Sequence, residues 1–346
     1  MRFHLWHSVK ISMTVVGTTI GAGFASGREI WEFFGSYGEG SSTGVLLSMG
    51  LFFAATVIIL RISWEKKTTH YSELLAHVIG TKLAKGFDGV VLLFLLTSTL
   101  VMVAGSGATF QEWNSSFLTG VWVMVGAVMV IVCFDLKGLM SMNAAIIPIM
   151  TAVLVLVCLH FLNSGSPSGL WTGSETEVLP VWPSAITYAA FNMISLLAVL
   201  STMGQQIRHV GEIWVAGGIS TLCLGLIAYL YNYSLMRVES LISQYEIPLF
   251  ALVRDYSPVW VITISLILWL AIYTTAVSNI HGLIFRVSGY VSLPRWAVGG
   301  AVLLLLVPLS RLGFVNLITF LYPLYGVINL FLLTMLLLYP FSREKE

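Results

Sequence analysis

The chain has 346 residues, of which 57% are hydrophobic and only 10% charged, with a mean hydropathy of +0.90. No soluble domain hides that much apolar surface, so the sequence reads as a polytopic all-α membrane protein in the lipid bilayer. A net charge of +1 supplies neither a basic face for nucleic acid nor a polybasic lipid-binding tail.

The first hydrophobic run, about residues 8–35, would be roughly 40 Å long as one helix, against a hydrocarbon core of about 30 Å. Its centre carries Gly17, Gly21, Gly23 and Gly27 interleaved with Thr18, Thr19 and Ile20. Each glycine costs about 1 kcal/mol relative to alanine in a helix, so a break is expected between about Thr18 and Ala25. Backbone released from helical pairing at mid-membrane cannot face lipid and must line a protein cavity or hold a ligand. Gly21, Ala22, Gly23 and Phe24 are therefore candidate substrate contacts. Small residues at this spacing also serve plain helix packing. A secretory signal peptide is set aside, because further hydrophobic segments follow to the end of the chain.

Further spans fall near 43–63, 86–112, 117–134 and 140–162, then 184–207, 211–235, 258–286, 295–310 and 313–340, about ten in all. Most basic residues, from Arg2, Lys10 and Arg61 to Arg343 and Lys345, fall on one side, and Arg28, Arg237, Arg254 and Arg311 on the other. That asymmetry puts both termini in the cytoplasm of a cell-membrane protein. Polar amphipathic stretches follow the second helix of each half, at 67–85 and 238–256. With five helices per half, the two halves, 1–163 and 184–346, are expected as an inverted repeat joined by an external linker, 164–183. The sixth span should then be interrupted like the first, with Asn192 and Ser195 as its polar candidates.

The third span holds Ala104 to Thr109, a small-residue face in which Ser106 is a candidate contact, and ends at Glu112. Arg28, Glu29 and Glu112 place charge toward the outer half of the core, either as a gate, with an Arg28–Glu112 pair, or as ordinary charges in a wet external mouth. Pro148 is expected to kink the fifth span. His160 reads as an interfacial polar tip. Cys133, Cys158 and Cys223 lie in apolar runs without metal-ligand spacing and are expected as small buried hydrophobes. On the eighth span, Ala271, Thr274, Thr275 and Ser278 share one helix face rich in hydroxyl oxygen. Such oxygens suit a hard cation, although Thr and Ser in membrane helices also bond back to their own carbonyls.

The run from Gly17 to Glu29 resembles the first-helix signature of the YkvI family of bacterial membrane proteins. Ala104-Gly105-Ser106-Gly107-Ala108, and Asn143 with Ile147-Pro148, are similar to that family's third and fifth helices. Together the constellations resemble the five-plus-five transporters of the amino acid-polyamine-organocation superfamily, the LeuT fold. The resemblance implies discontinuous first and sixth helices. It also implies a sodium site formed by the carbonyls of Gly17, Ile20 and Ala271 with the hydroxyls of Thr274 and Thr275. Phe24 stands where some relatives carry an amide, so a second sodium site is not implied.

The expected function is a secondary transporter of a small solute such as an amino acid, carboxylate or amine, working by alternating access. Sodium is the expected coupling ion and no other cofactor is implied, since the carboxylates Glu29, Glu32, Glu112 and Asp135 all lie toward helix ends in the sequence. The alternatives are a proton-coupled or uncoupled carrier, or a non-transporting sensor on the same fold. No nucleophile with a base, acid pair or metal-ligand set is visible at depth, so an enzyme is not expected.

Overall fold

A computed structural model describes residues 5–134, 139–164, 180–287 and 293–342. The linker 164–183 lies for the most part outside the described residues, as do Arg2, Lys137, Arg343, Lys345 and the side chain of Asn143. Every regular element among the described residues is a helix. It opens with α1 (Leu5–Thr19), α2 (Ala22–Ala25) and α3 (Arg28–Phe33), followed by a 3-10 turn (Gly35–Gly40). Then come α4 (Ser41–Lys66), α5 (Tyr71–Ile79), α6 (Thr81–Glu112), α7 (Phe117–Phe134) and α8 (Leu139–Asn163). The remainder comprises α9 (Trp182–Phe191), α10 (Met193–Leu200), α11 (Val210–Met236), α12 (Glu239–Ile242), α13 (Leu249–Val253), α14 (Pro258–Val287), α15 (Arg295–Ser310) and α16 (Phe314–Ser342).

Among the described residues, seven helical stretches are long and apolar enough to cross a membrane: Gly35–Lys66, Thr81–Glu112, Ile146–Asn163, Trp182–Leu200, Val210–Met236, Pro258–Val287 and Phe314–Phe341. Phe117–Cys133 and Arg295–Ser310 are apolar but shorter. Most of these limits lie near the hydropathy windows, but the first expected span, 8–35, is not among the seven, and the sixth is shorter than expected. The sixth span, expected to reach residue 207, stops as helix at Leu200. The reason is a backbone docking. Ser63 Oγ and Thr68 Oγ1 donate to the Ser201 carbonyl at 2.9 and 2.7 Å, and Lys67 Nζ donates to the Gly204 carbonyl at 3.3 Å. A Cβ on Gly204 would lie 2.0 Å from the Ser63 carbonyl oxygen, so only glycine lets the chain leave the helix against the end of α4.

Packing places the broken first segment at the centre. α1 lies against α11, α10 and α8; α2 against α14, α8 and α3; and α3 against α11, α16 and α9. A second close approach joins α16 to α9, where a Cβ on Gly326 would meet Thr187 Cγ2 at 2.3 Å and the Thr187 carbonyl at 2.6 Å. Pro148 lies inside α8 as expected. His160 packs edge-on against Tyr256 at 5.0 Å between ring centroids. Only Cys158 of the cysteines is buried; Cys133 is exposed on the apolar surface of α7 and Cys223 is intermediate, because both stand on outward faces of their helices.

Candidate functional site

The first helix gives up regular pairing where its glycines lie. The last α1 bond is Ile20 N to Val16 O, after which Gly21 adopts an extended backbone with φ −92° and ψ −173°. Pairing resumes with Ala25 N to Gly21 O and Ser26 N to Ala22 O, both 2.9 Å. Among the described residues, no backbone carbonyl accepts from the N–H of Ala22, Gly23 or Phe24. The chain turns again at Gly27, whose φ of +82° suits glycine alone.

Neighbouring elements hold this geometry. Tyr231 Oη on α11 donates to the Ala25 carbonyl at 3.1 Å, and the Leu249 N–H donates to the Ser26 carbonyl at 3.0 Å. Ser26 Oγ donates to the Gly23 carbonyl at 2.8 Å, and Ser184 Oγ on α9 to the Phe33 carbonyl at 2.7 Å. Gly21 and Gly23 differ in surroundings: a Cβ on Gly21 would meet nothing within 4 Å, whereas one on Gly23 would lie 2.7 Å from Glu29 Oε2 and 2.8 Å from Tyr322 Oη.

The charged residues of the outer half correct the sequence reading in two respects. Arg28 does not pair with Glu112. Its Nη1 lies 3.5 Å from Glu32 Oε1, while its other N–H groups donate to the Tyr245 carbonyl at 2.6 Å and the Glu246 carbonyl at 3.0 and 3.2 Å. One helical turn brings Glu32 under Arg28, and the hairpin of α12 and α13 folds its carbonyls over the guanidinium. Glu29 stands in the first turn of α3, but not in a wet mouth. It is 4% exposed, its Oε2 sits over Gly23, and its Oε1 has no hydrogen-bond partner among the described residues. The second turn at Gly27 folds α3 back, so a carboxylate that is distant from the break in sequence reaches it in space. Glu112 remains half-exposed at the end of α6.

The residues expected to hold sodium lie on α1 and α14 and just after α1. α14 packs against α2, directly after Ile20, whereas a Cβ on Gly17 would meet Ile147 of α8 at 3.6 Å. The hydroxyls of Thr274 and Thr275 both donate to the Ala271 carbonyl, at 3.1 and 2.9 Å. Asn192 is buried between α9 and α10 with its amide donating to the Tyr188 carbonyl at 3.1 Å; Ser195 is half-buried one turn on. Ser106 is tied into packing, donating to the Gly120 carbonyl at 2.8 Å and accepting from Trp269 Nε1 at 2.7 Å. The aromatic wall was missed from the sequence. Phe33, Tyr188, Phe191 and Tyr322 form a chain of ring contacts, with Phe191 stacked on Tyr322 at 4.4 Å. An aromatic residue inside an apolar helix carries no signal that separates it from core.

Known proteins place this architecture. No family model matches the chain. It is similar to uncharacterized protein YyaD of Bacillus subtilis (strain 168), 36% identical over 337 residues that cover 97% of this chain and 98% of the relative. It is also similar to uncharacterized membrane protein YkvI of the same organism, 26% identical with 97% of both chains covered. Among solved structures, a manganese transporter of Eremococcus coleocola aligns with a TM-score of 0.61 at 15% identity, covering 96% of this chain and 78% of the other. MhsT in complex with L-phenylalanine aligns with a TM-score of 0.60 at 17% identity, covering 92% and 87%. The LeuT-type fold is common to these structures and this chain. With more than a third of its residues identical to YyaD over nearly the full length of both, the chain belongs to the family of bacterial membrane proteins that includes YyaD and YkvI.

Proposed function

We propose that the protein is a secondary active transporter of a small solute, with its solute site between the break at Ile20–Gly21 and Asn192. The observation that carries this reading is the break itself. Three consecutive N–H groups leave helical pairing next to open space at Gly21, deep among packed helices. Unwound backbone is tolerated at membrane depth where it lines a cavity or holds a ligand. Free N–H groups favour an anionic or carbonyl-bearing part of the solute, as in an amino acid. The fold neighbours support a small solute, since one is named as a manganese transporter and another holds L-phenylalanine.

In this reading the broken first segment, the sixth span and the eight remaining spans make ten crossings in two inverted halves of five, in a bacterial cell membrane with both termini cytoplasmic. Reporter fusions at each end and a tag near Gly169 test that topology; an external terminus contradicts it. The coupling ion of this reading is sodium, held by the carbonyls of Gly17, Ile20 and Ala271 and the hydroxyls of Thr274 and Thr275. Binding there would tie α14 to the broken segment and shift the alternating-access equilibrium by the ion's differential affinity for the two states. Proteoliposomes offered labelled amino acids, amines and organic acids test the function. Sodium-dependent accumulation of at least one class is expected, and no accumulation of any class under any imposed ion gradient contradicts the proposal.

A further inference from the structure

Glu29 is a carboxylate in the middle of the molecule with no cation beside it. It is 4% exposed, and the groups around it come from each element packed on α3. From α9 comes Tyr188, 0% exposed, whose hydroxyl is turned to the carboxylate, although neither it nor Glu29 Oε1 reaches close hydrogen-bond geometry with any group among the described residues. From α16 comes Tyr322, 6% exposed, whose hydroxyl flanks the same point above Gly23 as Glu29 Oε2. α11 brings Tyr231, which is spent on the Ala25 carbonyl, and Arg237, which lies outward over the Tyr233 ring. α2 brings no ionisable group, and the 3-10 turn brings Tyr37, half-buried, and Glu39, exposed. On α3 itself, Arg28 is turned to Glu32 and to the Tyr245 and Glu246 carbonyls.

An ionised carboxylate taken out of water with no countercharge and an unsatisfied oxygen is strongly disfavoured, and such a group takes up a proton instead. Glu29 Oε2 and Tyr322 Oη crowd the point above Gly23, and a proton is the smallest cation that could neutralise the carboxylate there. Ionisable groups at membrane depth commonly lie on ion or proton pathways. We propose that Glu29 is a proton-binding site of this carrier: it takes a proton from water in a hydrated state, holds it while the break is closed, and returns it to water when the outer half-helix moves and the site is wetted. Its part in transport rests on the carrier reading, whereas proton binding does not. The site is separate from the sodium cage, which lies on the α1 and α14 side of the break. Opening would strip the hairpin carbonyls from Arg28 in the same motion, because α3 carries both residues.

The test is infrared spectroscopy of the full-length protein in lipid films, titrated through neutral pH without any solute. The carbonyl stretch of a protonated carboxylic acid should persist at neutral pH in the wild type. It should be lost in Glu29→Gln and kept in the control Glu39→Gln, which alters an exposed carboxylate. Tyr188→Phe and Tyr322→Phe should shift the band in frequency, which reads the same site should Glu29→Gln fail to fold. Absence of the band in the wild type at neutral pH, or its survival in Glu29→Gln, would overturn the proposal. The transport assay can fail while the band titrates as expected, so the two claims separate.

Discussion

Replacing Gly23 by alanine adds one methyl group at the most crowded point of the break. The new Cβ would lie 2.7 Å from Glu29 Oε2, 2.8 Å from Tyr322 Oη and 2.9 Å from Tyr322 Cε2. All three distances are well inside van der Waals contact. The tyrosine cannot retreat freely, because Phe191 stacks on it at 4.4 Å. The carboxylate must move instead, and overpacking of this kind costs about 1–3 kcal/mol. Gly21→Ala is the matched control. Nothing lies within 4 Å of its Cβ, and its backbone is extended at φ −92°, open to any residue. A glycine replaced where alanine fits is stabilising by about 0.4–1 kcal/mol. Unfolding midpoints in one detergent should therefore fall for Gly23→Ala and hold or rise for Gly21→Ala. If Gly23→Ala unfolds no earlier than wild type, or the two variants fall together, the packing described around Glu29 is wrong.

Other perturbations probe the supports of the site. Tyr231→Phe removes the hydroxyl that satisfies the Ala25 carbonyl and should destabilise by about 1–3 kcal/mol, read as a lower unfolding midpoint; an unchanged midpoint would show that the bond contributes nothing. Thr274→Val and Thr275→Val keep side-chain shape and remove one oxygen each, so sodium dependence of uptake should weaken before expression does. Uptake indifferent to sodium in the wild type and in both variants would make that face of α14 packing only. Glu73 caps the start of α5 by accepting from the Thr69 N–H at 2.8 Å, and that bond holds its carboxyl below the usual carboxylate range. The cap is therefore present above about pH 4.3, the ordinary glutamate value, and is lost as pH falls through the lower folded value. Hydrogen exchange at the first turn of α5 should rise only in strong acid, and a rise near neutral pH would contradict the assignment.

Much of this architecture was legible in the chain, because lipid imposes length and apolarity on each crossing. The limits of α6, α7, α11, α14 and α15 lie within a few residues of the hydropathy windows. The gap between α1 and α2 falls where four glycines stand among β-branched residues and leave little helix propensity. The position of Glu29 was not. Its sequence distance from Gly21 places it near a helix end, and only the left-handed turn at Gly27 returns it to the centre. The partners of Arg28 are carbonyls of a hairpin more than two hundred residues away, which local pattern does not encode. Ser106 was ambiguous for a related reason: the hydroxyl that marks a ligand contact also ties one helix to another, and here Trp269 and Gly120 take it. The end of α10 was missed because the Gly204 docking is a long-range contact that hydropathy does not see.

Gly21→Leu tests the central claim most directly. The space beyond Gly21 is open to at least 4 Å, so a leucine there should insert, fold and purify as the wild type does, while filling the place where the released backbone would meet solute. In proteoliposomes, a labelled amino acid, amine or organic acid accumulated by the wild type should fall to the level of empty vesicles with Gly21→Leu at equal protein. Wild-type accumulation by Gly21→Leu would mean that the break is a packing device and that the solute passes elsewhere.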